Sequence, residues 1–432
     1  MVTTAASQRS PAPDVPMRYL GAGVGAFLLF AAGIPLLAAT LVRTNDDPRV
    51  FALTHVAVLG WITMTMMGTL YQLFPVALSA EVKSQRLARW TFWVYLAGIA
   101  GFVPSFYLAW TPGMAAFGAV TVSAIAYFAS GMLWSYRSVR DWHPMAWYVL
   151  AALLWLLATI GVGFLYALDW RFHWFAISGN MLAAHVQLGL AGWLSLTLMG
   201  VSYKLTAMFS LAHGHDHRLA FLNLGLWNAA LLGLALSLIL VPQGGLPIAF
   251  AVALALSAAL FVADMALLLR RRRRRRLTIE HWHSFFAFAA LLAAAGLGLV
   301  LVTGHEPSRN WVVAYGWTAI GGWFGFSIVG KSYKIVPFLT WLHRFSSQTG
   351  AGPVPLLRDL LDERLVWLSF GLLGAGFTGV LAGLLMGQAE VVRWTAFGYL
   401  MGAGIYGYNI LRLALPLLAG RSPKPIAEVL AA

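Results

Sequence analysis

Two histidines stand inside stretches that are otherwise almost wholly apolar. His55 opens HVAVLGWITMTMMGTLYQLFP, and His185 opens HVQLGLAGWLSLTLMGVSYKLTAMF. Neutral imidazole is a standard ligand for iron and copper. Ionisable groups inside apolar spans are costly and mark functional sites. Other histidines are set differently. His213, His215, Asp216 and His217 form HGHDH, whose spacing suits a borderline metal but whose polar setting points first to a solvated loop. His281 and His283 follow a run of seven arginines, Arg270 to Arg276, and are expected at a membrane interface; His173, His305 and His343 are expected in loops. Met64, Met66 and Met67 could ligate copper(I), although flexible core packing is the expectation. The chain has no Cys, which excludes thiolate iron–sulfur clusters, covalent c-type haem and thiolate copper.

The elements that hold these residues follow from composition. The 432 residues are 60% hydrophobic and 10% charged, with a mean hydropathy of +0.75. Soluble domains carry about 25% charged residues, so the chain belongs in a membrane. Twelve apolar runs cover 18–42, 50–78, 89–110, 114–136, 145–168, 178–209, 219–241, 246–269, 284–303, 311–340, 365–387 and 392–418. In lipid every backbone polar group needs an internal partner, so such long runs are expected as helices. The first run is too long for the core of a cleavable signal. The net charge of +14 would suggest nucleic acid in a soluble chain; here it is a topology signal. With the N-terminus inside, 24 of the 29 Lys and Arg fall inside, and only Arg43, Arg49, Arg171, Arg309 and Arg393 outside. Both termini are therefore expected in the cytoplasm, at a bacterial-type inner membrane. The arginine run is expected to touch anionic lipid headgroups.

The second, sixth and tenth runs share a frame. Each has Gly-Trp, a Gly eight residues after the first, and a Tyr three further on: Gly60, Trp61, Gly68, Tyr71; Gly192, Trp193, Gly200, Tyr203; Gly322, Trp323, Gly330, Tyr333. Each repeat holds four runs, an even number, so the repeats share one orientation and pack about an axis along the membrane normal. The expected fold is an all-α membrane protein with twelve transmembrane helices in three parallel four-helix repeats of pseudo-threefold symmetry. Residues 1–432 form one integral membrane domain, with repeats at about 18–136, 145–269 and 284–418. Lys204 and Lys334 are expected to snorkel at helix ends, Lys331 to enter a polar path, and Asp264 to reach the arginine run.

Twelve runs in three groups, with His55, His185 and the Gly-Trp…Gly…Tyr segments on the second, sixth and tenth, resemble subunit I of the haem–copper oxidases and nitric oxide reductases. The resemblance covers nearly the whole chain as architecture. It implies three four-helix arcs enclosing three pores, with inward-facing ligands on those three helices. In that family the tenth helix carries a His-x-His pair for the two haems, on opposite sides because two residues turn about 200° around a helix. Here the frame puts Tyr315 and Trp317 at those positions. The seventh run, LAFLNLGLWNAALLG, offers no His pair for copper, and Gly189 stands where the copper-linked Tyr would be. The resemblance thus implies a member without the binuclear oxygen-reducing centre and without the low-spin haem site.

It also implies a site elsewhere. His55 lies five before Gly60, and His185 seven before Gly192. By the family's geometry these positions turn toward each other, into the pore between the second and sixth helices, at the depth where the family keeps its haems. Trp61 and Trp193 would line that pore or pack the bundle core. Two facing imidazoles suit six-coordinate haem b; two His bonded singly within the bundle, or copper, are the alternatives. The expected function is a haem b-binding membrane protein, similar to twelve-helix haem proteins of nitric oxide metabolism, that passes electrons or binds a diatomic gas. The other classes are a protein that transports, handles or assembles haem or copper, and a structural membrane subunit of a respiratory complex. Expected partners are the lipid bilayer and a redox partner or respiratory subunits, with no nucleic acid. Few acids stand on the runs, so proton pumping is not expected.

Overall fold

Continuous apolar sequence interrupted by short polar turns leaves the backbone one economical solution, the helix. The computed structural model describes residues 12–274, 276–304, 309–348 and 354–418, and among them there is helix and no strand. The long helices are α1 Asp14–Leu36, α2 Pro48–Ala77, α3 Gln85–Tyr107, α4 Thr111–Ser138, α5 Pro144–Phe172 and α6 Gly179–Ser210. They continue as α7 Arg218–Leu240, α8 Gly245–Arg270, α9 Ile279–Thr303, α10 Arg309–Arg344, α11 Glu363–Leu385 and α12 Ala389–Leu418. Ten are long and apolar enough to cross a membrane; α3 and α12 are not among those ten. The chain is an integral membrane protein. Arg9, Arg275, His305, Arg421 and Lys424, used above for topology or as loop residues, lie outside the described residues.

Helix starts use local polar chemistry. Asp47 caps α2 by accepting from the Arg49 N–H at 2.8 Å, with Pro48 in the first turn. Ser178 caps α6 through Met181 N at 3.2 Å, and Asp362 caps α11 through Arg364 N at 2.8 Å. The first run is shorter than expected. α1 ends at Leu36, just after Pro35, and a separate turn, Ala38–Leu41, follows.

Sequence neighbours pack together, and α4 lies on α5, α8 on α9 and α12 on α1, so the described helices close into a ring. Inside stand α2, α6 and α10. Buried residues make up 78% of the apolar window of α10 and 61% of those of α2 and α6, against 28% for α5, α8 and α9. Outer faces present large apolar side chains such as Leu29, Leu154, Leu256 and Met401, as lipid contact requires.

Two glycines on each inner helix set its approach to the first helix of its group. A Cβ on Gly68 would lie 2.6 Å from Tyr19 Cβ, one on Gly200 2.7 Å from Tyr148 Cβ, and one on Gly330 would strike His283 Cβ. The companion glycines do the same one level away: Gly60 on Ala26, Gly192 on Trp155 and Gly322 on Ala290, at 3.0, 2.8 and 2.7 Å. Tyr19 and Ala26, Tyr148 and Trp155, and His283 and Ala290 are each seven apart, two turns on one helix face.

This close seating gives an expected outcome. Gly200→Ala should destabilise the protein by about 1–3 kcal/mol through overpacking against Tyr148. Gly225→Ala, where nothing lies within 4 Å, should be neutral or slightly stabilising. Thermal unfolding of both variants in nanodiscs checks this.

Candidate functional site

Each inner helix changes winding at the same frame position. Val56–Thr63, Leu188–Ser195 and Thr318–Phe324 are π-helical, and each starts four residues before the frame's first glycine. Such wide turns interrupt α-helices mostly at functional sites. The residues just ahead of them are His55, Gln187 and Trp317. Below, the frame tryptophans tie the helices to one another. Trp193 Nε1 donates to Thr63 Oγ1 of α2 at 3.0 Å, and Trp323 Nε1 donates to Ser195 Oγ of α6 at 3.1 Å. The third indole, Trp61, stacks on Phe27 at 4.0 Å and reaches to 3.2 Å of where a Gly325 Cβ would stand. Trp61 and Trp193 are 1% and 2% exposed, so both are packed in the bundle core.

Above this level lie the expected ligands. His55 Nδ1 sits 2.7 Å from Phe51 O. A carbonyl only accepts, so Nδ1 carries the proton and Nε2 keeps its lone pair. That is the tautomer a metal-binding imidazole needs, with its other nitrogen held by a carbonyl. The ring stacks on Phe106 of α3 at 4.6 Å and 17°, with Phe102 edge-on at 5.7 Å. His185 lies against Gly163 of α5, where a Cβ would come within 2.7 Å of Cε1, and its ring is 5.8 Å from Tyr166. His185 Nδ1 is buried without a partner. Neither Nε2 has a hydrogen-bond partner among the described residues. The two imidazoles are within electrostatic reach of each other. Phe51 and Phe106 both meet Trp170 of α5 at 5.6 Å, which ties α2 and α3 to α5 beside the pair.

The corresponding junction of α6 and α10 is directly bonded. Gln187 Nε2 donates to Tyr315 Oη at 2.9 Å, and these two residues occupy the frame positions of His55 and His185. At the junction of α10 and α2 the indole of Trp317 donates to Phe377 O at 3.0 Å and packs between Phe377 and Tyr399. The sequence marks Tyr315 and Trp317 only as missing ligands; their frame positions were the available signal for the Gln187–Tyr315 bond.

Among the described residues no group of three or more His, Cys, Asp or Glu is placed to hold a metal ion. A bare zinc or copper ion needs three or four such ligands. Two imidazoles suit a metal that brings its own equatorial ligands, and that donor chemistry fits haem. Met64, Met66 and Met67 are core residues, all at most 5% exposed.

Several polar residues stand where the sequence did not put them. Asp264 is fully buried and pairs with none of the described arginines of the run; it accepts from Tyr203 Oη and lies against His215 Nε2, both at 2.9 Å. The HGHDH segment is therefore not simply solvated. His213 is exposed, but the His215 side chain is only 8% exposed and is clasped to α8. His281 and His283 are buried, at 4% and 0%, because α9 starts earlier than expected and takes both inside. His173 ends α5 in a left-handed conformation, and His343 lies in the last turn of α10. Lys334 pairs with Glu280 at 3.4 Å. No protein-family model and no curated protein matches the chain.

Two histidines at the loop ends carry a pH signature. Burial holds both His143 and His217 below the ordinary imidazole value, with Lys204 adding to the effect at His143 and His215 at His217. Both are kept neutral in the fold, while the open chain protonates near 6.5, so their contribution is present above that pH and lost as pH falls below it. Amides of residues 211–217 should exchange faster at pH 5.5 than at 7.5 after correction for intrinsic rates. His217→Gln should reduce the difference, and hydrogen exchange with mass spectrometry measures both.

Proposed function

We propose that this protein is a haem b-binding membrane protein of the haem–copper oxidase superfamily that lacks an oxygen-reducing centre and serves electron transfer or diatomic gas binding. In this reading α1 to α12 all cross the bilayer as three parallel four-helix units about one axis, with both termini cytoplasmic. The ring closure, the three glycine seats and the three π-helical turns support that arrangement. The observation that carries the functional reading is the Gln187–Tyr315 hydrogen bond. It joins the two frame positions that His55 and His185 hold at the neighbouring junction. The same relation would turn the two imidazoles toward one another, and their Nε2 atoms would be the ligands.

Haem bound there supplies an iron that cycles by one electron. The chain's residues orient and shield it. Phe51 O holds His55 in the Nε2-ligating tautomer, Phe106 fixes the ring plane, and Gly163 leaves room for His185. Trp193 and Thr63 set the spacing of α2 and α6 beneath the pair. Tyr315 and Trp317, each engaged in a hydrogen bond at the other junctions, give α10 no iron ligand.

The purified protein should show the sharp reduced bands of low-spin haem b. His55→Ala and His185→Ala should each shift the iron to high spin or lose haem, while His213→Ala should leave the spectrum unchanged. Loss of haem should also lower the unfolding temperature, because haem binds only the folded bundle. If both bundle variants keep a wild-type low-spin spectrum, the ligand assignment fails. The chain alone should not reduce oxygen or nitric oxide in steady state with a reduced donor, and sustained turnover would overturn the assignment of a missing oxygen-reducing centre.

A further inference from the structure

On the far side of the tryptophan level from His55 and His185, α2, α6 and α10 line a small cavity of about 30 Å³. Thr69, Thr197, Ser332, Met66 and Lys331 are among the residues around it. Lys331 is 7% exposed, and among the described residues it is the only Lys or Arg that is buried. Its ammonium has no ion-pair or hydrogen-bond partner there. The buried carboxylates are committed elsewhere: Asp264 to Tyr203 and His215, Glu280 to Lys334, and Asp169 to the Phe175 N–H. His283 lies within electrostatic reach of Lys331. That ring is fully buried, and neither nitrogen has a partner. This part of the interior therefore holds a cationic side chain and an imidazole, and among the described residues no carboxylate is paired with either.

A buried charge needs a counter-charge or hydrogen bonds to offset its desolvation. The hydroxyls around the cavity supply acceptors. Thr197 Oγ1 donates its proton to Trp193 O and Ser332 Oγ to Ile328 O, both at 2.7 Å, so each oxygen is left able only to accept. Neither is hydrogen-bonded to the ammonium, and neither brings negative charge. The Thr69 hydroxyl is uncommitted and can donate. We infer that this cavity binds one small inorganic monoanion, held by Lys331 Nζ and the Thr69 hydroxyl. The cavity volume of about 30 Å³ suits a halide or an ion of similar bulk. The site is independent of the haem reading, since it shares no residue with His55 or His185.

Bromide serves as the probe. Wild-type protein in neutral-lipid nanodiscs should unfold about 3 °C higher in sodium bromide than in sodium gluconate at equal ionic strength, because gluconate is too large to enter. Lys331→Met keeps the stem and removes the charge, and should abolish the difference. Thr69→Val should reduce it. Equal unfolding temperatures in the two salts for wild type, or an undiminished bromide effect in Lys331→Met, would overturn the site. Should Lys331→Met fail to accumulate, diffraction from wild-type crystals grown in bromide decides. An anomalous peak in contact with Nζ supports the site, and a cavity holding only water, or no peak there, refutes it.

Discussion

The inner helices can lie against their neighbours only because glycine meets a Cβ at two levels, and the rest of the structure takes its register from that contact. The frame glycines are eight residues apart, while the positions they face are seven apart on α1, α5 and α9. In two regular α-helices one extra residue would shift the second contact by about 1.5 Å. The π-helical segment, which runs through the first glycine, takes up that residue. The wide turn is thus a consequence of seating two glycines on one straight helix. It also rotates whatever precedes it, and what precedes it is His55, Gln187 or Trp317.

That register makes three junctions at one depth and lets each carry different chemistry. One is closed by an amide–phenol hydrogen bond, one by an indole in an aromatic stack, and the third holds two imidazoles with free nitrogens. An amide or indole placed there satisfies itself within the protein and adds stiffness. An imidazole whose Nδ1 is bound to Phe51 O has its remaining capacity directed away from its own helix. In the proposed reading the same scaffold supports two sealed junctions and one that takes a ligand, and the difference lies in a handful of side chains.

Much of this was legible in sequence, because lipid imposes a simple grammar. Long apolar runs had to be helical, and all the described long helices stand within a few residues of those runs. The frame glycines were legible as well, and each meets a close Cβ on a neighbouring helix, whereas the tryptophans make different contacts: Trp193 and Trp323 donate hydrogen bonds and Trp61 stacks on Phe27. The wide turns were not legible: nothing in the residue types of VAVLGWIT distinguishes a π turn from an α turn. Nor was the burial of His283 or His215. Hydropathy assigns His to an interface, whereas its partner is decided by tertiary packing. Asp264 shows the same limit. Its position near a helix end and seven arginines suggested an ion pair, but Tyr203 and His215 reach it from the bundle side.

The placement of buried charge completes the argument. The buried carboxylates described each meet at least one protein donor, and Asp264 and Glu280 act as fasteners. Asp264 holds the 211–217 segment to α8 through His215, and Glu280 ties the start of α9 to Lys334 of α10. Lys331 is the exception, a cation at the meeting point of α2, α6 and α10 with hydroxyl oxygens but no acid. Replacing it with an apolar residue would remove a desolvation cost and leave the glycine seats intact, so stability alone gives no reason for a lysine there. A charge that the scaffold does not need is explained by what it attracts, and in a cavity of this size that is a single small ion.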